Sequence, residues 1–214
     1  MEPFIENIWV FLGTAIVISL TGVMTPGPLF AASIAKGYTD KAAGVKIALG
    51  HGLVEFPLMA VIALSLGYVF ENTTVRLAIG LVGGALMIFL GSMMLRKYKD
   101  GVQDGSEYIP YDSITAGALT TSLNPYFLLW WATIGAWLIM NAKWFGPIVV
   151  VVFAVVHWSC DLGWYMLTSY TVFRTKHLWT PRIHQLVFVA CGVIMVVFGL
   201  YFVVGPALDL TSSL

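Results

Sequence analysis

Two histidines each stand four residues before an acid: His51 before Glu55, and His157 before Asp161. Residues four apart share one face of a helix. An imidazole beside a carboxylate can hold or exchange a proton near physiological pH, because histidine titrates there. Both pairs lie in stretches otherwise free of charge. Glu55 is the only charged residue from Ile47 to Phe70, and Asp161 the only one from Trp144 to Phe173. An acid at the centre of an apolar membrane helix costs about 2.5–3.5 kcal/mol on insertion scales, so it is expected to face a partner or a wet cavity. One such pair could equally be a buried structural hydrogen bond. Two in matching places favour proton coupling or the binding of an amine. The same four side chains would also make a donor set for zinc or manganese if the helices carrying them face each other.

The second chemical feature is broken backbone. Thr25-Pro26-Gly27-Pro28 interrupts the first apolar run, and Asn124-Pro125 interrupts the fourth. Proline has no N–H, so the carbonyls of Gly22, Met24 and Thr121 are expected to lose their helical partners. Gly27 adds backbone freedom between two prolines. In hydrocarbon such breaks are tolerated where they line a cavity or where neighbours re-satisfy the backbone. The N-terminal end of a half-helix carries partial positive charge and suits a carboxylate. Thr25, Pro26, Gly27, Pro28, Asn124 and Pro125 are therefore candidate substrate-binding positions. Trp131 joins them because it lies deep enough in its run to line a cavity, as does Trp130, although ordinary packing would serve both.

The elements that must position these residues are transmembrane helices. Hydrophobic residues make up 59% of the 214, and only 10% are charged. Mean hydropathy is +0.87. A water-soluble chain cannot hide that much apolar surface, which excludes a soluble enzyme, a nucleic-acid binder and a disordered chain. Net charge is zero, so no polyanionic partner is implied. Cys160 and Cys191 sit inside apolar runs and suggest no disulfide framework. A span needs about 20 mainly apolar residues, and six runs satisfy this, roughly 8–35, 43–70, 76–97, 113–140, 146–173 and 182–206. The first is not a cleaved signal peptide by pattern, since Glu2 and Glu6 lead it where positive charge is wanted.

Nine of the eleven lysines and arginines fall in the connections after the first, third and fifth runs. The positive-inside rule places these connections in the cytoplasm and both termini outside a cytoplasmic membrane. The connection after the third run divides the chain into residues 1–98, a cytoplasmic loop 99–112, and residues 113–214. Each half has three spans, so the halves would have opposite orientation. Each has a proline-broken first helix, then a helix with a histidine and an acid. The expected fold is an all-α integral membrane protein of six helices in two inverted three-helix repeats, with broken first and fourth helices. Gly80 and Gly84, with Gly83 and Gly91, allow close packing within the chain or a homodimer, the former being the better reading. No HExxH, nucleophile elbow or ATP-binding motif occurs, so neither an enzyme nor a cofactor is implied.

Thr25-Pro26-Gly27-Pro28, then Gly37, Gly44 and Gly50, then Leu123-Asn124-Pro125 carry a family resemblance. With the six spans and the size, they resemble the lysine exporter (LysE) superfamily of amino-acid efflux proteins, which includes the threonine and homoserine exporters. The resemblance implies export of amino acids or related small solutes, driven by the proton gradient or the membrane potential. Tyr126 departs from the lysine that many members carry after Asn-Pro, and the pairing of His51 with Glu55 looks like a subset of the family. Because the wider superfamily includes metal exporters, divalent-metal efflux through His51, Glu55, His157 and Asp161 is the alternative. The expected partners are a small-molecule substrate and the lipid bilayer.

Overall fold

Every element among the described residues is helical, and no strand occurs among them. The structure, a computed structural model, describes residues 6–25, 27–64, 111–178 and 181–212 and a subset of positions between 74 and 96. Pro26, Gly80, Gly83 and most of the 99–112 loop lie outside the described residues, as does much of the third expected span. The helices are α1 (Ile8–Val23), α2 (Pro28–Gly37), α3 (Ala43–Ala63), α4 (Ser113–Ser122), α5 (Pro125–Trp130), α6 (Ala136–Trp144), α7 (Pro147–Thr175) and α8 (Pro181–Ser212). A π-helical segment, Trp131–Gly135, joins α5 to α6.

The burial pattern is inside-out relative to a soluble protein. Ser19, His51, Glu55, Thr121, His157, Asp161 and Ser169 are buried, while Trp9, Leu53, Ile148 and Val151 are more than 60% exposed. Polar groups inside and large apolar groups outside are what a lipid solvent demands. α3 and the stretch Pro147–Leu178 are each long and apolar enough to span a membrane. Two bent helix pairs are long and apolar enough to span when each is taken as a unit: α1 with α2 turns by 74°, and α4 with the stretch Pro125–Trp144 turns by 59°. The helices thus break where the prolines predict.

Two of the three carbonyls at the breaks, those of Gly22 and Thr121, are not left orphaned, contrary to the expectation from proline chemistry alone. Gly22 O accepts from Met24 N and Thr25 N, and Thr121 O accepts from Leu123 N and Asn124 N. Each helix closes with a tight turn before the next begins. Pro28 and Pro125 then occupy first positions of new helices, where the missing N–H costs nothing. Gly27 has φ −158°, extended backbone open to any residue, so its freedom is not used in this conformation.

Three glycines let the cavity helices meet at backbone distance. A Cβ on Gly50 would strike the Ile114 carbonyl, one on Gly117 the Ile47 carbonyl, and one on Gly44 the Tyr165 carbonyl. These contacts press α3 against α4 and α7, with His51 and Glu55 between them. Gly84 and Gly91 meet Gly199 and Gly192 of α8 in the same way, so these glycines pack within the chain. Lys176 Nζ donates to Tyr38 O at 3.2 Å, which puts the basic α2–α3 and α7–α8 connections at one end. Lys143 Nζ donates to Ala63 O at 3.0 Å, and α3 runs the length between the two ends.

Candidate functional site

The buried row of α7 runs Val149, Phe153, His157, Asp161, Tyr165 and Ser169, at four-residue spacing. That of α1 runs Phe11, Ala15, Ser19 and Val23. α3 turns His51, Glu55 and Met59 inward. The rows meet at Glu55. Its Oε1 accepts from His51 Nε2 at 3.0 Å, His157 Nε2 at 3.2 Å and Trp131 Nε1 at 3.2 Å. Asp161 stands further back, with Oδ1 3.5 Å from His51 Nε2 and Oδ2 3.6 Å from His157 Nε2. The two His–acid pairs are therefore one cluster of four side chains, each at most 5% exposed.

The far nitrogens of both rings are held as well. His51 Nδ1 lies 2.8 Å from Thr121 Oγ1 of α4, and His157 Nδ1 lies 2.7 Å from Ser19 Oγ of α1. Aromatic rings wall the cluster: Phe127 meets His51 edge-on, Trp130 stacks on His157, and Trp131 meets His157 edge-on. Gly135, inside the π segment, admits the Trp131 ring, since a Cβ there would overlap it. A π segment carries an extra residue per turn and often marks a functional site; here it places the indole N–H on Glu55.

A cavity of about 70 Å³ opens beside this cluster. Thr25, Gly27 and Pro28 of the first break line it, with Asn124 of the second, Trp131, and all four ionisable residues. Pro125 is fully buried but is not part of the lining, and Pro26 lies outside the described residues. The two breaks approach each other, with Thr25 Oγ1 3.4 Å from Tyr126 Oη. A family model for LysE type translocators matches residues 20–205. The chain belongs to this LysE type translocator family. No curated protein and no solved structure matches it. The match spans both breaks and the whole ionisable cluster. With its apolar, lipid-facing helices, this LysE type chain is a multi-pass membrane protein, and its family is one of transporters rather than enzymes.

Sequence reasoning missed Ser19, Thr121 and the π segment of this LysE type protein. Ser19 and Thr121 are small hydroxyls common in apolar helices. Their signal was positional, because Ser19 shares the four-residue row with Phe11 and Ala15.

Proposed function

We propose that the chain exports amino acids or related small solutes across the cytoplasmic membrane as a proton-coupled secondary carrier, threonine- or homoserine-exporter-like, working by alternating access between inverted repeats. The observation that supports this most is the shared cavity. Both broken helices and the two deeply buried acids, Glu55 and Asp161, border one space, and a shared space lets a substrate and a proton compete or cooperate.

The substrate carboxylate sits at the start of α2. That helix starts after Gly27 with no side-chain cap, so its first N–H groups and dipole are available to an anion. The ammonium group or the coupling protons sit at Glu55 and Asp161. Glu55 Oε2 and Asp161 Oδ2 are buried without a hydrogen-bond partner among the described residues, and a buried oxygen of that kind is costly until a donor arrives. About 70 Å³ holds a few waters, a water's share being about 30 Å³, and is well below the ~300 Å³ of a small ligand pocket. Loading an amino acid thus requires the breaks to open, as alternating access supposes. The basic end faces the cytoplasm and both termini face outward.

Metal efflux is the weaker reading. The compact donor set is His51, Glu55 and Asp161, without His157, and Glu55 Oε1 is already engaged by three N–H donors. The test is efflux of labelled amino acids from proteoliposomes under an imposed pH gradient. Transport is expected, and it is expected to vanish in the Glu55→Gln, Asp161→Asn double variant. Full transport by that variant contradicts proton carriage by the cluster.

A further inference from the structure

The hydroxyls of Ser19 and Thr121 have more than one partner each. Ser19 Oγ is 2.6 Å from Ala15 O and 2.7 Å from His157 Nδ1. Thr121 Oγ1 is 2.7 Å from Gly117 O and 2.8 Å from His51 Nδ1. A hydroxyl has one proton to donate and lone pairs to receive. Facing a neutral ring that keeps its proton on Nε2, toward Glu55, the hydroxyl donates to the bare Nδ1. Facing a protonated ring, it accepts from Nδ1–H and turns its own proton to the carbonyl four residues back. Neither state leaves the imidazole or the hydroxyl unpaired. The carbonyls also lose nothing, because they sit inside α1 and α4, where the helix backbone supplies a donor.

From this we infer that Ser19 and Thr121 are positioning residues for proton loading: each lets a buried imidazole gain and release a proton at Nδ1 while Nε2 stays on Glu55. The step is a proton transfer alone: on loading, a protonated water in the cavity that Ser19, Thr121 and both imidazoles line breaks an O–H bond as the ring forms Nδ1–H, on release the same proton returns to water, and in each case one hydroxyl O–H rotates. The attachment is crossed. Ser19, on α1 ahead of the first break, serves His157 of the second half, and Thr121, on α4 ahead of the second break, serves His51 of the first. Thr121 O itself accepts from Asn124 N at the break. Proton loading in one half therefore reorients a hydroxyl on the broken helix of the other. The titratable groups facing the two rings are Glu55 from α3 and Asp161 and Tyr165 from α7, and each ring faces the other; Tyr126 of α5 lines the same cavity.

The inference rests on the proton-coupled reading, and its test separates the two. The protein, with ¹⁵N-labelled histidine, is titrated from about pH 5 to pH 9, where imidazoles change charge. The rings are assigned with His51→Gln and His157→Gln. In the unaltered protein, Nδ1 of both rings is expected to change from protonated to bare while Nε2 stays protonated. Ser19→Ala should abolish this for His157 alone and Thr121→Val for His51 alone, with Ser19→Thr and Thr121→Ser preserving it. In proteoliposomes, the Ser19→Ala, Thr121→Val double variant should lose about tenfold of pH-driven labelled-threonine flux and shift its pH profile, the scale of a lost buried hydrogen-bond partner. Threonine-for-threonine exchange without a pH gradient should survive. Unchanged Nδ1 behaviour in the variants, or a change at Nε2 instead, overturns the inference. If the unaltered protein shows no pH-driven flux, the carrier reading falls, and the ¹⁵N result still decides this one.

Discussion

The pairs His51–Glu55 and His157–Asp161 share one spacing in sequence, but the structure gives their acids unequal places. Glu55 lies at the hub and accepts three N–H groups, two from the imidazoles of α3 and α7 and one from an indole. Asp161 touches both imidazoles only at 3.5–3.6 Å, and its Oδ2 has no hydrogen-bond partner among the described residues. Glutamate is longer than aspartate by one methylene, so its carboxylate extends further from its own helix, and this difference in reach can be tested. A repeated motif thus supplies two carboxylates of different standing: one accepts three N–H groups on a single oxygen, the other meets its imidazoles only at 3.5–3.6 Å, and each keeps one oxygen without a hydrogen-bond partner among the described residues.

The largest expected effect follows from the hub. Glu55→Gln removes the charge that both imidazoles and the indole share, and pH-driven flux should fall about a hundredfold, the scale of breaking a buried charge network. Asp161→Asn should cost about tenfold in the same assay, since fewer hydrogen bonds depend on it. Equal losses in the two variants would erase the distinction. The exchange variant Glu55→Asp, Asp161→Glu sharpens it. If reach decides the roles, the hub moves to position 161. In that background, neutralising position 161 to the amide should then do more damage than neutralising position 55. Trp131→Phe keeps an aromatic, though smaller, ring and removes the donor, and about a threefold loss of flux is expected. Tyr126→Phe should be the mildest, about twofold at most, because its hydroxyl meets Thr25 only at 3.4 Å.

The two breaks differ in a related way. The second carries its own cap, with Asn124 Oδ1 accepting from Tyr126 N at 3.1 Å, and the first has none. Asn124→Ala should lower thermal stability by about 1 kcal/mol, whereas Gly27→Ala should leave it nearly unchanged, because the backbone there is extended and a Cβ meets only the Thr25 carbonyl, at 3.8 Å. A Gly27→Ala variant that folds but cannot transport would show that the uncapped break must move, which is the property its open N-terminus suggests.

Much of this protein was legible in its sequence. Apolar runs interrupted by few charges determine that the chain lives in lipid, because a bilayer selects by length and polarity alone. Proline determines where the first and fourth spans break, because it lacks an N–H, and four-residue spacing determines that each histidine shares a face with its acid. Only the tertiary structure decided that the two pairs form a single cluster, because whether α3 and α7 face each other depends on glycines that admit carbonyls from distant helices. It also decided which acid is the hub and which hydroxyls hold the imidazoles. Those outcomes turn on differences of an ångström between side chains far apart in the chain, and no local pattern encodes them.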